Sequence, residues 1–152
     1  MSEANATPDI ATFSELLRAA LGDLLDPSAE RFLDMLADDA VMEFPYAPPG
    51  YVTALHGRRE VEAHLAGFGD ILQIDSMRLS AVHRSTDAQT VVVEFSCRGR
   101  GTKTGAPYDQ RYVSVIALRD GKITRYSDYW NPLVVLSALR DRDTITKLVA
   151  EA

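Results

Sequence analysis

From Ile71 to Trp130 the chain alternates apolar and polar residues with a period of two, and this segment constrains the fold more than any other. Turn-forming residues divide it into four runs, which predict strands at about 71–84, 90–101, 108–119 and 122–130. Asp120-Gly121, between the last two runs, is a strong signal for a two-residue hairpin. Strands joined by such short turns form an antiparallel meander, because parallel strands need long crossover connections.

On both sides of this meander in the sequence, apolar residues recur with the spacing of a helix. A capping box at Thr12 and Glu15 predicts a first helix, and Asp26-Pro27 predicts the start of a second. A short strand is expected over 40–44 and a third helix after Gly57. Asn131-Pro132 predicts a C-terminal helix whose apolar residues are Leu133, Leu136, Leu139, Ile145, Leu148 and Val149.

This order of elements indicates an α+β fold with helices on one side of a curved antiparallel sheet, enclosing a small-molecule pocket. The 152 residues fit one domain, which we place at 12–152 after a disordered lead-in at 1–11. Apolar residues recur on both faces of the meander, more than helices on one side can cover. A homodimer through the outer face is therefore expected.

Composition excludes several classes of function. A net charge of −6 and the lack of a Lys/Arg cluster argue against nucleic-acid and membrane partners. The single Cys97 permits no intramolecular disulfide and no cysteine pair for a metal. The polar, acidic N-terminus is not a signal peptide, and no apolar run approaches the ~20 residues that span a bilayer. A cytoplasmic protein is expected.

The polar residue that the predicted sheet makes most informative is Asp128, because a carboxylate in a covered sheet must be paired, exposed or kept for chemistry. Counting back from the Asp120-Gly121 turn places Asp128 opposite Val113. Arg111 is then diagonal to Asp128 on the same face, ~7–8 Å away. Asp128 is accordingly either a functional acid, an ion-pair partner of Arg111 or a residue at a solvent-facing strand end.

The face occupied by Glu94 and Ser96 depends on the preceding loop, around Thr104-Gly105. A two-residue turn there would place them in the rows of Val115 and Val113, on the face predicted for Asp128. A loop of three or five residues would send Glu94 to the opposite face. Both alternatives stay open at this point.

Further candidates are aromatic residues and one histidine. His64 shares a helix face with Val61, Leu65 and Phe68 and is expected to point inward, although such a histidine is more often a hydrogen-bonded core residue. Tyr46 lies in a proline-rich loop, which is either a packed turn or a pocket rim. Tyr112, Tyr126 and Trp130 suit either the core or a pocket wall. No metal-ligand spacing, phosphate loop or nucleophile elbow is present, so no cofactor is expected.

The segments YDQRY at 108–112 and RDGKITRYSDYWNP at 119–132 resemble the SnoaL-like group of the nuclear transport factor 2-like superfamily. FPYAPPG at 44–50 and HGRRE at 56–60 are most similar to phenazine-biosynthesis A/B-type proteins. The resemblance covers about 12–140. It implies a cone-shaped, barrel-like domain with a deep pocket, usually a homodimer, but this superfamily supports many activities on one scaffold.

The resemblance also implies residue roles. In cyclase and epoxide hydrolase members the acid of the last strand is a general base, and Asp128 matches it, although the phenazine-type proteins have a glutamate there. Their third-helix histidine is matched by His64. The epoxide hydrolases have an Arg and an Asp where this chain has Glu94 and Ser96, which argues against epoxide opening.

We therefore expect a cofactor-independent acid/base enzyme of isomerase, cyclase or condensation type, acting on an apolar cyclic carbonyl compound. Asp128 would move a proton beside the carbonyl, and Tyr46, Tyr126 or His64 would hydrogen-bond the enolate oxygen. The alternative is a non-catalytic ligand-binding or dimeric interaction module. The predicted catalytic residues are Asp128 and His64, and the predicted substrate contacts are Tyr46, Glu94, Ser96, Arg111, Tyr112, Tyr126 and Trp130.

Overall fold

The computed structural model describes residues 9–139 together with 146, 147 and 150. They form an α+β fold around one curled, open sheet of six strands in the order β2-β1-β6-β5-β4-β3. The strands are β1 Leu36–Glu43, β2 Ala54–His56, β3 Leu72–Arg84, β4 Thr90–Gly101, β5 Gln110–Arg119 and β6 Lys122–Trp130. The helices are α1 Phe13–Leu21, α2 Phe32–Met35, α3 Arg58–Ala66, α4 Phe68–Ile71 and α5 Pro132–Leu139, with a 3-10 turn at Gly22–Leu24.

The four-strand meander is confirmed, and its predicted bounds differ from the observed ones by no more than two residues. Arg119 pairs with Lys122 across the last hairpin. Asp120 and Gly121 both have positive φ, 52° and 79°, the conformation of a type I′ turn. The local turn chemistry therefore sets the end of this hairpin as expected.

The sheet is mixed rather than wholly antiparallel. β1 runs parallel to β6, with Met42 opposite Tyr126, and an irregularity between Leu36 and Val41 interrupts the pairing. β1 also pairs antiparallel with β2, a strand that the sequence did not reveal. Strands β3 to β5, which lie between β1 and β6 in the chain, bring β6 back beside β1, so the sheet curls but stays open.

The predicted register of β5 and β6 is wrong beyond the first two pairs. Leu118 pairs with Ile123 but Ala117 pairs with Arg125, so Thr124 is an extra residue in β6, that is, a β-bulge. Asp128 consequently faces Ser114 and not Val113. A one-residue slip moves every later side chain of the strand to the other face.

The first helix begins as predicted, whereas the second differs from its prediction. Thr12 caps α1 as expected, accepting from the backbone N–H of Glu15 at 3.1 Å. Asp26 instead accepts from the backbone N–H and hydroxyl of Ser28 in a turn, and α2 begins only at Phe32. The second helix is thus short, because the Asp26 side chain closes a local turn and does not start a helix.

The ends of the chain add two observations. Of the predicted lead-in, residues 1–8 lie outside the described residues, whereas Ile10 exchanges two backbone hydrogen bonds with Met77 on β3. Of the predicted C-terminal helix, Ile145, Leu148 and Val149 lie outside the described residues. Asn131 accepts from the backbone N–H of Leu133 at 3.0 Å, so the start of α5 is as predicted.

The core lies on the concave, inner face of the sheet. Phe13 of α1 and Phe32 of α2 pack on the Tyr126 ring, at centroid distances of 6.2 and 5.7 Å. At the other end, Gly101 lies so close to α5 that an added Cβ would stand 2.2 Å from the carbonyl oxygen of Ala138. This close approach requires glycine and brings α5 onto the end of β4.

Candidate active site

Asp128 is on the inner face of β6, 9% exposed, and is the only buried acidic side chain among the described residues. The hydroxyl of Ser114, directly across on β5, donates to its Oδ1 at 3.2 Å. Ser114 Oγ lies 2.7 Å from the Tyr126 hydroxyl. Because the single Ser114 hydrogen goes to Asp128, Tyr126 must donate to Ser114. The carboxylate is therefore held by a Tyr126–Ser114 chain.

Burial raises the pKa of Asp128 to about 7, while the Ser114 hydrogen bond acts in the opposite direction. The predicted juxtaposition with Arg111 is wrong, because the Thr124 bulge turns Asp128 inward while Arg111 stays on the outer face, opposite Ser96. An ion pair with Arg111 is thereby excluded. A carboxyl group that titrates near pH 7 can both accept and return a proton at neutral pH, as general acid–base catalysis requires.

A second polar group on this face consists of two tyrosines and the cysteine. The Tyr108 and Tyr112 hydroxyl oxygens are 2.7 Å apart, and the Cys97 thiol donates to Tyr112 at 3.9 Å. Burial raises the pKa of Tyr108 to about 12 and that of Tyr112 well above its usual value, and the nearby Asp128 charge adds to both shifts. These hydroxyls therefore remain protonated donors at neutral pH.

His64 lies at the aromatic end of the inner face. Its ring is 5.5 Å from that of Phe44, which in turn is 6.3 Å from the Trp130 ring. Burial lowers the pKa of His64, so the imidazole is neutral at pH 7. Of the predicted residues, the fold thus brings Asp128, Tyr112, Tyr126 and Trp130 to one face, with His64 reaching Trp130 through Phe44.

The other predicted site residues lie elsewhere. Glu94 and Ser96 are on the outer face, in rows with Val113 and Arg111. Glu94 pairs with His83 on β3 at 2.7 Å. Tyr46 is 59% exposed and packs edge-on against Tyr129, also on the outer side. They border an open cleft of about 470 Å³, which is also lined by Tyr112 and Trp130. Its lining on the outer side includes Tyr46, Glu94, Arg111, Val113, Tyr129 and Asn131.

Sequence reasoning missed Ser114, Tyr108 and Cys97 as inner-face residues. One signal could have located them: Ile123 and Tyr126, both buried, are three apart, whereas alternation in a regular strand requires an even spacing. Two consecutive outward residues, Thr124 and Arg125, therefore mark the bulge. With that shift, Ser114 becomes the inward residue opposite Asp128.

No three His, Cys, Asp or Glu side chains among the described residues converge as metal donors. None of the described helices has the length and apolar character needed to span a bilayer.

Comparison with known proteins gives three informative similarities. A Bacillus subtilis crystal structure, described as a proposed isomerase, is 40% identical, with a TM-score of 0.70 over 82% of this chain and 89% of that one. An uncharacterised PhzA/B-like protein of Pseudomonas aeruginosa is 36% identical over 91% of this chain and 97% of its own length. A nuclear transport factor 2-like protein of Burkholderia xenovorans, 18% identical, shares the fold, with a TM-score of 0.60 over 83% of this chain and 94% of that one.

The family match agrees with the fold. The SnoaL-like domain matches residues 18–126, from α1 into β6. The chain therefore belongs to the SnoaL-like family of nuclear transport factor 2-like proteins.

Proposed function

We propose that this protein is a cofactor-independent acid/base enzyme that transfers a proton next to the carbonyl group of an apolar, cyclic substrate. The observation that carries the proposal is Asp128, a buried carboxyl group with a pKa of about 7 that has no cation beside it among the residues the structure describes. The relative described as a proposed isomerase is consistent with this class of reaction.

The chemical step starts from the Asp128 carboxylate. It removes the proton from the carbon next to the carbonyl, the C–H electron pair becomes the enolate π bond, and the carbonyl oxygen takes the negative charge. Return of the proton to another carbon completes an isomerisation, and attack of the enolate carbon on a second carbonyl completes a cyclisation or condensation. The buried ring of Tyr112 and the partly buried ring of Trp130 favour an apolar ring over a charged substrate.

The test is exchange of the α-protons of cyclic ketones, such as cyclohexenone and tetralone, for deuterium in heavy water, followed by NMR. We expect the protein to accelerate exchange and Asp128→Asn to lose at least ~100-fold of that acceleration. Asp75→Asn, which removes a half-exposed carboxylate on β3, is the matched control and should exchange as the parent does. An Asp128→Asn variant with the parental rate would contradict the proposal.

One observation favours a second candidate, a ligand-binding module without catalysis. Asp128 stands without a second buried carboxyl among the described residues, so any further proton transfer must use a tyrosine, His64 or water. Under this alternative the protein binds cyclic ketones, Asp128→Asn leaves their affinity within a factor of two or so, and neither form accelerates exchange.

We further propose that the molecule acts as a homodimer that covers the outer face of the sheet. Val113 on that face is 40% exposed, and Tyr46, which packs on the neighbouring Tyr129, is 59% exposed. Such an apolar surface is typical of a protein–protein contact. On the inner face, by contrast, α1 and α2 already pack on the sheet through Phe13 and Phe32.

A further inference from the structure

We propose that the hydroxyl group of Tyr108 donates the hydrogen bond to the substrate's carbonyl oxygen, and that Tyr112 and Cys97 position it. This inference rests on the proposed function of Asp128 and adds the donor for the enolate oxygen. Sequence analysis assigned that donor to Tyr46, Tyr126 or His64.

A chain of hydrogen bonds runs from the Cys97 thiol through the Tyr112 hydroxyl to the Tyr108 hydroxyl. The Cys97 sulfur is 3.9 Å from the Tyr112 oxygen, which is 2.7 Å from the Tyr108 oxygen. The three residues are 3%, 9% and 3% exposed, respectively. Phe95 stacks on the Tyr112 ring at 4.7 Å with an interplanar angle of 10°, so this ring has little freedom to move.

The three side chains carry one more donor hydrogen than the hydrogen bonds between them use. Cys97, Tyr112 and Tyr108 carry three donor hydrogens, but only two hydrogen bonds link them. Sulfur is a weak acceptor, so the favourable direction runs from the Cys97 thiol to the Tyr112 oxygen and from the Tyr112 hydroxyl to the Tyr108 oxygen. The Gln110 side chain also hydrogen-bonds the Tyr108 oxygen, and because this contact lowers the pKa of Tyr108, Gln110 is the donor. The hydrogen left over therefore belongs to Tyr108. A buried donor without an acceptor is costly, which a substrate oxygen would relieve.

The earlier candidates are less suitable. The Tyr126 hydrogen is used by Ser114, whose own hydrogen goes to Asp128. Tyr46 lies on the outer side, 59% exposed, with Tyr129. Tyr108 is therefore the buried tyrosine with a hydroxyl hydrogen to spare.

The Tyr108–Tyr112 pair lies close to the base, Asp128. Burial is the main cause of the raised pKa of Tyr108, and the Asp128 charge is a further cause for Tyr108, Tyr112, Cys97 and Tyr126. Tyr112 lies two residues from Ser114 on β5, and Ser114 is directly opposite Asp128, so Tyr112 is diagonal to Asp128 on the inner face, ~7–8 Å away between Cα atoms. A substrate whose α-carbon contacts Asp128 therefore has its oxygen near the Tyr108–Tyr112 pair.

The test is binding of nitrophenols and 2-naphthol to the full chain, because a phenolate carries an oxygen like that of an enolate and its absorbance reports its ionisation. The protein should bind these probes below pH 7 and lose affinity as the pH rises through the Asp128 pKa of about 7, since two adjacent anions repel. Tyr108→Phe should weaken binding by ~10-fold or more, the effect of one hydrogen bond to a charged oxygen.

Further variants distinguish the loss of the Tyr108 hydrogen bond from a loss of side-chain packing. Tyr129→Phe removes a hydroxyl from the outer face and should leave affinity unchanged. Cys97→Ser supplies a stronger donor to Tyr112 and should bind phenols more tightly than Cys97→Ala does. This order of affinities tests the hydrogen-bond chain even if Tyr108→Phe does not fold. Equal affinities of the two Cys97 variants would overturn the proposal.

The remaining outcomes distinguish this inference from the proposed function. If Tyr108→Phe binds phenols as the parent does, while Asp128→Asn alone removes the pH dependence, the Tyr108 assignment is wrong and the role of Asp128 stands. If the parent binds no phenol, or the pH dependence survives in Asp128→Asn, both are wrong.

Discussion

Asp128 and Glu94 are two carboxyl groups in the same sheet, yet their surroundings are opposite. Asp128 faces inward, is 9% exposed and is bonded only to a neutral hydroxyl. Glu94 faces outward, its side chain is 44% exposed, and it contacts His83. The same carboxyl chemistry therefore gives a buried group whose pKa is raised to about 7 on one face and a half-exposed group in contact with a histidine on the other.

The largest effect we expect comes from removing the inner carboxylate. Between the usual pKa of 3.8 and the folded value of about 7, the native state holds the Asp128 proton more tightly than the unfolded state does. Stability is therefore lost as the pH rises through this window. Asp128→Asn should recover up to ~4 kcal/mol of unfolding free energy at pH 8, and little at pH 4. Urea denaturation at both pH values measures this, and a large loss of stability at pH 8 would point to a structural carboxylate.

The next largest effect is expected from a substitution on the outer face of the sheet. Val113→Asp places a charge in the centre of the outer face, where we propose that a second copy binds. An unpaired buried charge costs several kcal/mol, so the variant should sediment as a monomer of 16.7 kDa that remains folded. Sedimentation of the parent as a 16.7 kDa monomer at micromolar concentration would refute the proposed dimer.

A smaller change sharpens the account of the inner carboxyl. Ser114→Ala removes the hydrogen bond that favours the carboxylate, so the pKa of Asp128 should rise further, by roughly one unit or less. The pH profile of ketone α-proton exchange should shift upward by the same amount. A downward shift would mean that a charged group outside the described contacts determines the pKa.

The smallest effect is expected on the outer face. Glu94→Gln breaks only a half-exposed contact with His83, so its cost should be within ~1 kcal/mol at any pH between 5 and 8. Urea denaturation beside Asp128→Asn gives the direct contrast. If Glu94→Gln changed stability with pH as strongly as Asp128→Asn, the two faces would not differ as described.

Local signals in the sequence predicted much of the fold. The alternation over β3 to β6 and the Asp120-Gly121 turn are properties of neighbouring residues, and both appear in the structure. The parallel pairing of β1 with β6 joins distant segments and leaves no such local signal. That strand was expected, but its partner and direction could not be derived.

The site was predictable only in part, because it depends on register. Asp128 was recognised as unusual from its place in a covered strand. The extra residue at Thr124 shifts the register by one, so that Asp128 lies opposite a different residue of β5. Arg111 was predicted beside it, and Ser114 lies there instead. Since side chains alternate between faces, an error of one residue leaves the strand correct and the site wrong.

The measurement that tests the central claim most directly is a carbon-13 NMR titration of the aspartate carboxyl groups, with Asp128→Asn used to assign the Asp128 signal. The account predicts one carboxyl group with a midpoint near pH 7, which is absent from the variant spectrum. A midpoint for Asp128 at or below the usual 3.8 would contradict it, because such a carboxylate would remain ionised and be a weak base at neutral pH.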